Sequence, residues 1–204
     1  MKERILFFAA GLLVLTLGVA LIIKSALGAS AWDALAVGES HLFGLTVGTC
    51  VFINGIALII INSILLKKKP EILAAGTILV IGALIDFWLL AVFKDFSPSM
   101  LLTQSCTLLS GILTMGLGIA VYLQAKFPPS PMDTLMVAVH TRFGLSLRTS
   151  RIASEGFALI LAFLFQGAIG PGTILVTLTL GLVVQYFHPK LEIIMANGLK
   201  KAVV

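Results

Sequence analysis

Three small groups of polar residues interrupt a chain that is otherwise apolar, and each is of a type that could do chemistry. Lys24 and Asp86 sit near the ends of two apolar runs. A lone charge inside a bilayer costs about 2.5–3.5 kcal/mol on insertion scales, so the two are expected to form an ion pair. The corresponding positions of the second half are Gln124 and Gln185, neutral amides expected to hydrogen-bond to each other. Were water to reach that pair, Asp86 would be the carboxylate best placed to couple a proton or cation. The simpler alternative is that Lys24 snorkels to the interface and Asp86 finds water.

Arg148, Arg151 and Glu155 form the second group. Their spacing places them on one helix face, with Arg151 and Glu155 four apart and within pairing reach. Topology signals and a local ion pair explain much of this cluster. A glutamate two turns into a span is nevertheless costly unless it is paired or lines a polar path. A role at a gate or in solute contact is therefore the functional expectation.

The third group is a duplicated Ser-x-x-Asp, Ser30 to Asp33 and Ser130 to Asp133. It predicts a capping box, with serine accepting from an early backbone N–H and the acid reaching back to the serine N–H. Gly44 and Gly144 are placed to end both helices in the left-handed conformation. Capping accounts for these residues; the functional alternative is a pair of re-entrant half-helices aimed at a central solute site. The acid partly cancels the positive helix end, which weakens any anion-site version.

Other chemistries lack residues. His41, His140 and His188 show no metal-ligand spacing, and no Ser/His/Asp set converges, so no enzyme and no cofactor is expected. Cys50 and Cys106 lie at or inside apolar segments without partners, which argues against a disulfide or zinc site.

The elements that position these groups must be membrane helices. The chain has 204 residues, 59% of them hydrophobic and 11% charged, with mean hydropathy +1.11; ordinary globular chains carry about 25% charged residues. Six spans are predicted, at about 5–27, 47–66, 72–93, 101–124, 149–168 and 172–188. The first apolar run is too long for a signal peptide and has a counterpart in mid-chain, so it is expected to span. The mixed tail, 190–204, predicts an amphipathic helix on the cytoplasmic surface. Gly11, Gly18, Gly111 and Gly118 predict close helix packing.

The net charge of +5 invites a nucleic-acid partner, but the basic residues lie between apolar runs, where membrane orientation explains them better. Lys2 and Arg4, Lys67 to Lys69, Lys126 with Arg142 and Arg148, and Lys190 with Lys200 and Lys201 occupy alternate loops. All fall on one side, which places both termini in the cytoplasm.

The segment around Asp33 recurs one hundred residues on. Gly18 and Gly118, Ser30 and Ser130, Asp33 and Asp133, Leu35 and Leu135, the two Phe-Gly-Leu triplets at 43–45 and 143–145, and Thr49 and Thr149 match without a gap. Roughly a quarter of about fifty aligned positions are identical, which signals an internal repeat. Each unit holds three spans, so the second must enter from the opposite side. The expected fold is all-α, two inverted three-helix repeats at 1–98 and 99–189, each with a short non-spanning helix after its first span.

The stretches Pro129-Ser130-Pro131-Met132-Asp133-Thr134-Leu135, Arg142-Phe143-Gly144-Leu145-Ser146 and Arg148-Thr149-Ser150-Arg151 to Glu155 resemble the YczE/YyaS/YitT-type bacterial membrane proteins. The first half carries Ala29-Ser30-Ala31-Trp32-Asp33, with alanine where the family often shows proline, and Gly170 to Thr173 is similar to the family's Gly-Pro-Gly-Thr turn. The resemblance covers nearly the whole chain. It implies a six-span protein of the bacterial inner membrane and carries over no substrate or catalytic residue.

Inverted halves with few intramembrane charges point to a secondary transporter or permease for a small solute, by analogy of architecture. Two alternatives stand beside it: a substrate-binding subunit of an energy-coupling-factor-type importer, and a non-transporting scaffold that partners a regulator or biosynthetic enzyme. The lipid bilayer is the expected partner, with a homo-oligomer possible.

Overall fold

The computed structural model describes residues 2–125, 127 and 130–201, and the side chains of 4–125, 127 and 130–192. Eight α-helices run in chain order: α1 (Lys2–Lys24), α2 (Ala31–Phe43), α3 (Val47–Leu66), α4 (Ile72–Asp86), α5 (Leu101–Leu123), α6 (Pro131–Phe143), α7 (Leu147–Leu164) and α8 (Pro171–Lys201). A π-helical turn, Phe87–Val92, continues α4. Among the described residues, five segments are long and apolar enough to cross a membrane: Arg4–Lys24, Val47–Leu66, Ile72–Val92, Leu101–Leu123 and Pro171–Glu192. The expected fifth span, α7, has 18 residues and includes Arg148, Arg151 and Glu155, so composition alone does not place it among them.

The short helices begin and end as their caps dictate. Ser30 and Ser130 take extended backbone, and each hydroxyl accepts from the N–H of the aspartate three residues on. Gly44 and Gly144 close the helices at φ 66° and 69°, a conformation that only glycine adopts without penalty. The reciprocal half of the capping box differs from expectation. Asp33 and Asp133 accept from the serine hydroxyl rather than from the serine backbone N–H.

At the centre α1 and α5 run antiparallel in close contact. A Cβ at Gly18 would overlap the Met115 backbone, and one at Gly118 the Leu15 backbone, so small residues here set the helix separation. Around this pair α4 packs on α1 and α8 on α5; α2 packs on α7 and α3, and α6 packs on α3 and α7. One apolar core gathers Leu12, Ile78 and Ile85; the other gathers Ile22, Leu35, Leu108 and Val176.

These contacts define two ends of the bundle. At one lie Lys24, the start of α3, Asp86, and the α7–α8 turn, which hydrogen-bonds to the loop before α2 through Ala29 N–H to Ala168 O (2.8 Å) and Gly172 N–H to Leu27 O (2.8 Å). At the other lie Lys68, Gln124 and the start of α6. There Asn62 Nδ2 donates to Pro131 O at 2.8 Å, and Gln124 Nε2 donates to His188 O at 3.1 Å.

The short helices therefore do not converge on a central site. The start of α2 is tied to the α7–α8 turn and the start of α6 to the end of α3, at opposite ends of the bundle. The last helix also departs from the predicted 172–188, because α8 continues through Pro189 to Lys201. Residues 202–204 of the expected tail, together with Lys126, Pro128 and Pro129, lie outside the described residues.

Candidate functional site

The two halves treat one helix seam in opposite ways. The α3 face bearing Gly48, Val51 and Gly55 packs on α4. A Cβ at Gly48 would overlap Gly82 O and come within 2.6 Å of Asp86 Cγ, and a Cβ at Gly55 would lie 2.5 Å from Ile78 Cγ1. At Gly48 and Gly82 the two backbones touch because neither residue has a side chain to hold them apart.

Asp86 fastens this seam. Its Oδ2 accepts from the Thr46 hydroxyl at 2.6 Å and its Oδ1 from Gly48 N–H at 2.7 Å. The carboxylate thus caps the N-terminus of α3 from a neighbouring helix, where orphan N–H groups and the helix dipole favour negative charge.

This arrangement corrects the expected ion pair. Lys24 Nζ donates to Lys94 O at 3.3 Å, and among the described residues the one salt bridge is elsewhere. Asp86 is satisfied by a helix end instead of by a cation. Gln124 likewise bonds the His188 carbonyl rather than Gln185, which is exposed.

In the second half, α7 and α8 share no comparable interface among the described residues. The turns after α3 and α7 set the correspondence between the halves. Lys67 and Gln166 both take left-handed backbone, at φ 52° and 55°. Lys68 N–H to Ser63 O repeats as Gly167 N–H to Ala162 O. On that register Gly82 corresponds to Gly181 and Asp86 to Gln185. A Cβ at Gly82 would overlap Gly48 O, whereas one at Gly181 would meet nothing within 4 Å. The α7 positions matching Gly48, Val51 and Gly55 are Arg148, Arg151 and Glu155.

Within the expected charged cluster, Arg151 and Glu155 pair as their spacing predicts. Arg151 Nε donates to Glu155 Oε1 at 3.0 Å, with Arg151 half-exposed and Glu155 more covered. The Ser146 hydroxyl accepts from Thr149 N–H at 3.1 Å, as the Thr46 hydroxyl does from Thr49 N–H at 3.2 Å. The cap is shared between the halves, but the carboxylate latch of the first is an amide in the second.

A crevice of about 400 Å³ opens at the same end, between α3, the α3–α4 loop and the start of α6. At the opposite end the corresponding space is filled, since Gly170 and Gly172 of the α7–α8 turn press against Leu27 and Gly28.

Two polar contacts had no sequence signal. Asn54 Nδ2 donates to Glu39 Oε2 at 2.6 Å, joining α3 to α2, and Asn62 reaches Pro131 across the crevice floor. Each asparagine is embedded in an apolar helix, Asn62 beside Ser63, and neither Glu39 nor Asn62 has a polar counterpart one hundred residues on. Burial raises the Glu39 carboxyl pKa, against the opposing pull of the Asn54 amide.

Asp33 carries a measurable consequence of its position. Burial pushes its carboxyl from 3.8 up to about 6, opposed by the Ser30 hydroxyl. With a raised pKa, the stability that the protonated acid contributes is full below about 3.8 and is lost as pH rises through about 6. At about 1.36 kcal/mol per unit, discounted because water reaches part of this group, the loss is about 1–2 kcal/mol. Asp33→Asn should therefore melt above wild type at pH 7.5 and together with it at pH 4. An identical gap at both values would show that the carboxyl titrates normally.

A model of a family of unknown function, DUF6198, matches residues 2–189. The uncharacterized protein YyaS of Bacillus subtilis is 36% identical, over 93% of this chain and 94% of the relative. The uncharacterized membrane protein YczE of the same organism is 32% identical, over 90% of this chain and 85% of the relative. An uncharacterized protein of Haemophilus influenzae is 33% identical, over 90% and 81%. No solved structure matches.

Proposed function

We propose that this chain, which belongs to the DUF6198 family and is an integral membrane protein, is a secondary transporter rather than an enzyme. It moves a small solute by alternating access between two inverted repeats, with α7 as a sixth span. The observation that carries this is the unequal seam: Gly82 against the Gly48 backbone at the Lys24 end, Gly181 facing open space at the Lys68 end. Two repeats of one design in two states are what an alternating-access protein presents when caught open to one side.

The charges support the same reading. Arg148, Arg151 and Glu155 would be costly against lipid and are tolerable beside water. The basic loops support a cytoplasmic Lys68 end, and on that orientation the described state is open inward. The inner membrane of a bacterium is the location that follows.

The test is thiol accessibility in a Cys106→Ser background, since Cys50 is buried. Cysteines at His41 and Ser97 should react with an impermeant maleimide on intact cells. Those at Lys68 and Thr141 should react only from the cytoplasmic side, and so should one at Glu155, two turns into α7. Reaction of His41 and Thr141 from the same side would end the inverted repeat. An unreactive Glu155→Cys beside a reactive Thr141→Cys would mean a dry bundle and favour a scaffold.

A further inference from the structure

We propose that the gap between α3 and α7 binds a small organic cation with an apolar body, its ammonium on Glu39 and Asn54 and its hydrocarbon in the crevice beside α6. The charge supplies the first reason. Asp33 and Asp133 each hold a serine hydroxyl at a helix start, Asp86 holds the Thr46 hydroxyl and the Gly48 N–H, and Glu155 pairs with Arg151. Glu39, by contrast, meets a neutral amide, Asn54 Nδ2 at 2.6 Å, and no cation among the described residues. Asn54 lies two turns into α3, about 10 Å from its start at 1.5 Å per residue, so the carboxylate is drawn into the apolar part of the bundle. A carboxylate at that depth without a cation is costly, and such groups mark the paths of solutes and ions.

Two acceptors here are unused. The Asn54 amide is oriented by its bond to the carboxylate, since the flipped amide would set two oxygens against each other. That leaves Asn54 Oδ1 and the second Glu39 oxygen, Oε1, without a partner among the described residues. Both side chains are half-buried, and neither oxygen is sealed from the surface. A primary ammonium brings three donors and the charge that Glu39 lacks.

The apolar half lies on the same face of α3. Leu58 and Ile61, one and two turns beyond Asn54, line a crevice of about 170 Å³ with Leu135 and Val139 of α6 and Phe157 of α7. Val139 and Ser154 are the counterparts of Glu39 and Asn54 one hundred residues on, and the Ser154 hydroxyl is spent on Arg151 O at 2.9 Å. One end of the gap thus carries charge and the other hydrocarbon. Among the described residues α3 and α7 are joined through α2 and α6 rather than packed on each other, which leaves the space between them.

The proposal deepens the transport reading and rests on it only for calling the cation a substrate, because on that reading the gap is the interface between the repeats. Binding is measured without transport, so either can fail alone. A reactive Glu155→Cys with no cation binding would end this proposal and leave transport standing. The full chain in nonionic detergent micelles is melted with n-hexylammonium, with methylammonium, which has the charge but little hydrocarbon, and with hexanoate, which has the hydrocarbon but the opposite charge. A ligand that binds only the folded state raises the melting temperature. Hexylammonium should stabilise at concentrations at least about tenfold below those either control needs.

Glu39→Gln, which keeps an oxygen to accept from Asn54, should erase the advantage over hexanoate. Ala153→Phe, at an exposed position on the crevice wall, should erase the advantage over methylammonium. Absence of stabilisation by hexylammonium, or equal stabilisation by hexanoate, would overturn the proposal. So would an unchanged preference in Glu39→Gln. Should that variant not fold, unchanged hexylammonium binding in Ala153→Phe would do the same.

Discussion

Asp86→Ala is expected to cost about 3 kcal/mol or more, far beyond any other single charge removal in the chain. It deletes two charge-assisted hydrogen bonds, each worth about 1.5–3 kcal/mol, and strands the Gly48 N–H in a buried seam. Asp86→Asn should cost only about 1 kcal/mol, because its carbonyl still accepts from Gly48 N–H and its amide can donate to the Thr46 hydroxyl. Lys24→Gln should change little, since the one hydrogen bond of Lys24 among the described residues is to an exposed carbonyl, Lys94 O, at 3.3 Å. Unfolding in graded denaturant resolves all three, and Lys24→Gln/Asp86→Gln should be additive. Recovery of stability in the double variant would restore the ion pair and remove the latch.

The second large effect is on conformation. Arg148→Gly, Arg151→Val and Glu155→Gly together give α7 the face that α3 presents to α4. Two glycines cost about 1 kcal/mol each in a helix, a cost α3 already bears at Gly48 and Gly55. In return α8 can approach the α7 backbone, and the charges that require water are gone. A cysteine at Gln185, exposed in wild type, should lose at least about tenfold in its rate with a water-borne thiol reagent, on the order of 1.4 kcal/mol in seam closure. An unchanged rate would mean that the charges do not hold the seam open.

What the sequence makes legible is local. Ser30, Ser130, Gly44 and Gly144 mark both short helices to the residue, because capping joins groups three or four positions apart. The repeat locates the seam positions, since Gly48 and Arg148 correspond by number alone. The latch was not legible: that Lys24 and Asp86 are both replaced by glutamine in the second half says nothing about contact. Asp86 instead meets a helix N-terminus forty residues away, immediately before the π-helical turn that continues α4.

Pro189 lacks an N–H, yet α8 continues past it, and the His188 carbonyl beside it takes a donor from Gln124. Asn62 and Glu39 were silent because a polar residue without a periodic pattern does not announce its partner. Their partners are set by how α6 and α2 lie across the ends of α3 and α7.

The exchange of seams between the halves is tested most directly by cross-linking both seams in one molecule. Cysteines at Thr49 and Ala83 flank the α3–α4 seam, and their counterparts at Thr149 and Leu182 flank the α7–α8 seam; all four positions are exposed. In a Cys106→Ser background, the four-cysteine protein in native membranes is treated with a short bis-maleimide and the links are counted by mass. Alternating access predicts that each molecule forms one link or the other, and that closing either seam leaves the other open. Both links in the same molecule, or an α7–α8 seam that never closes, would contradict it.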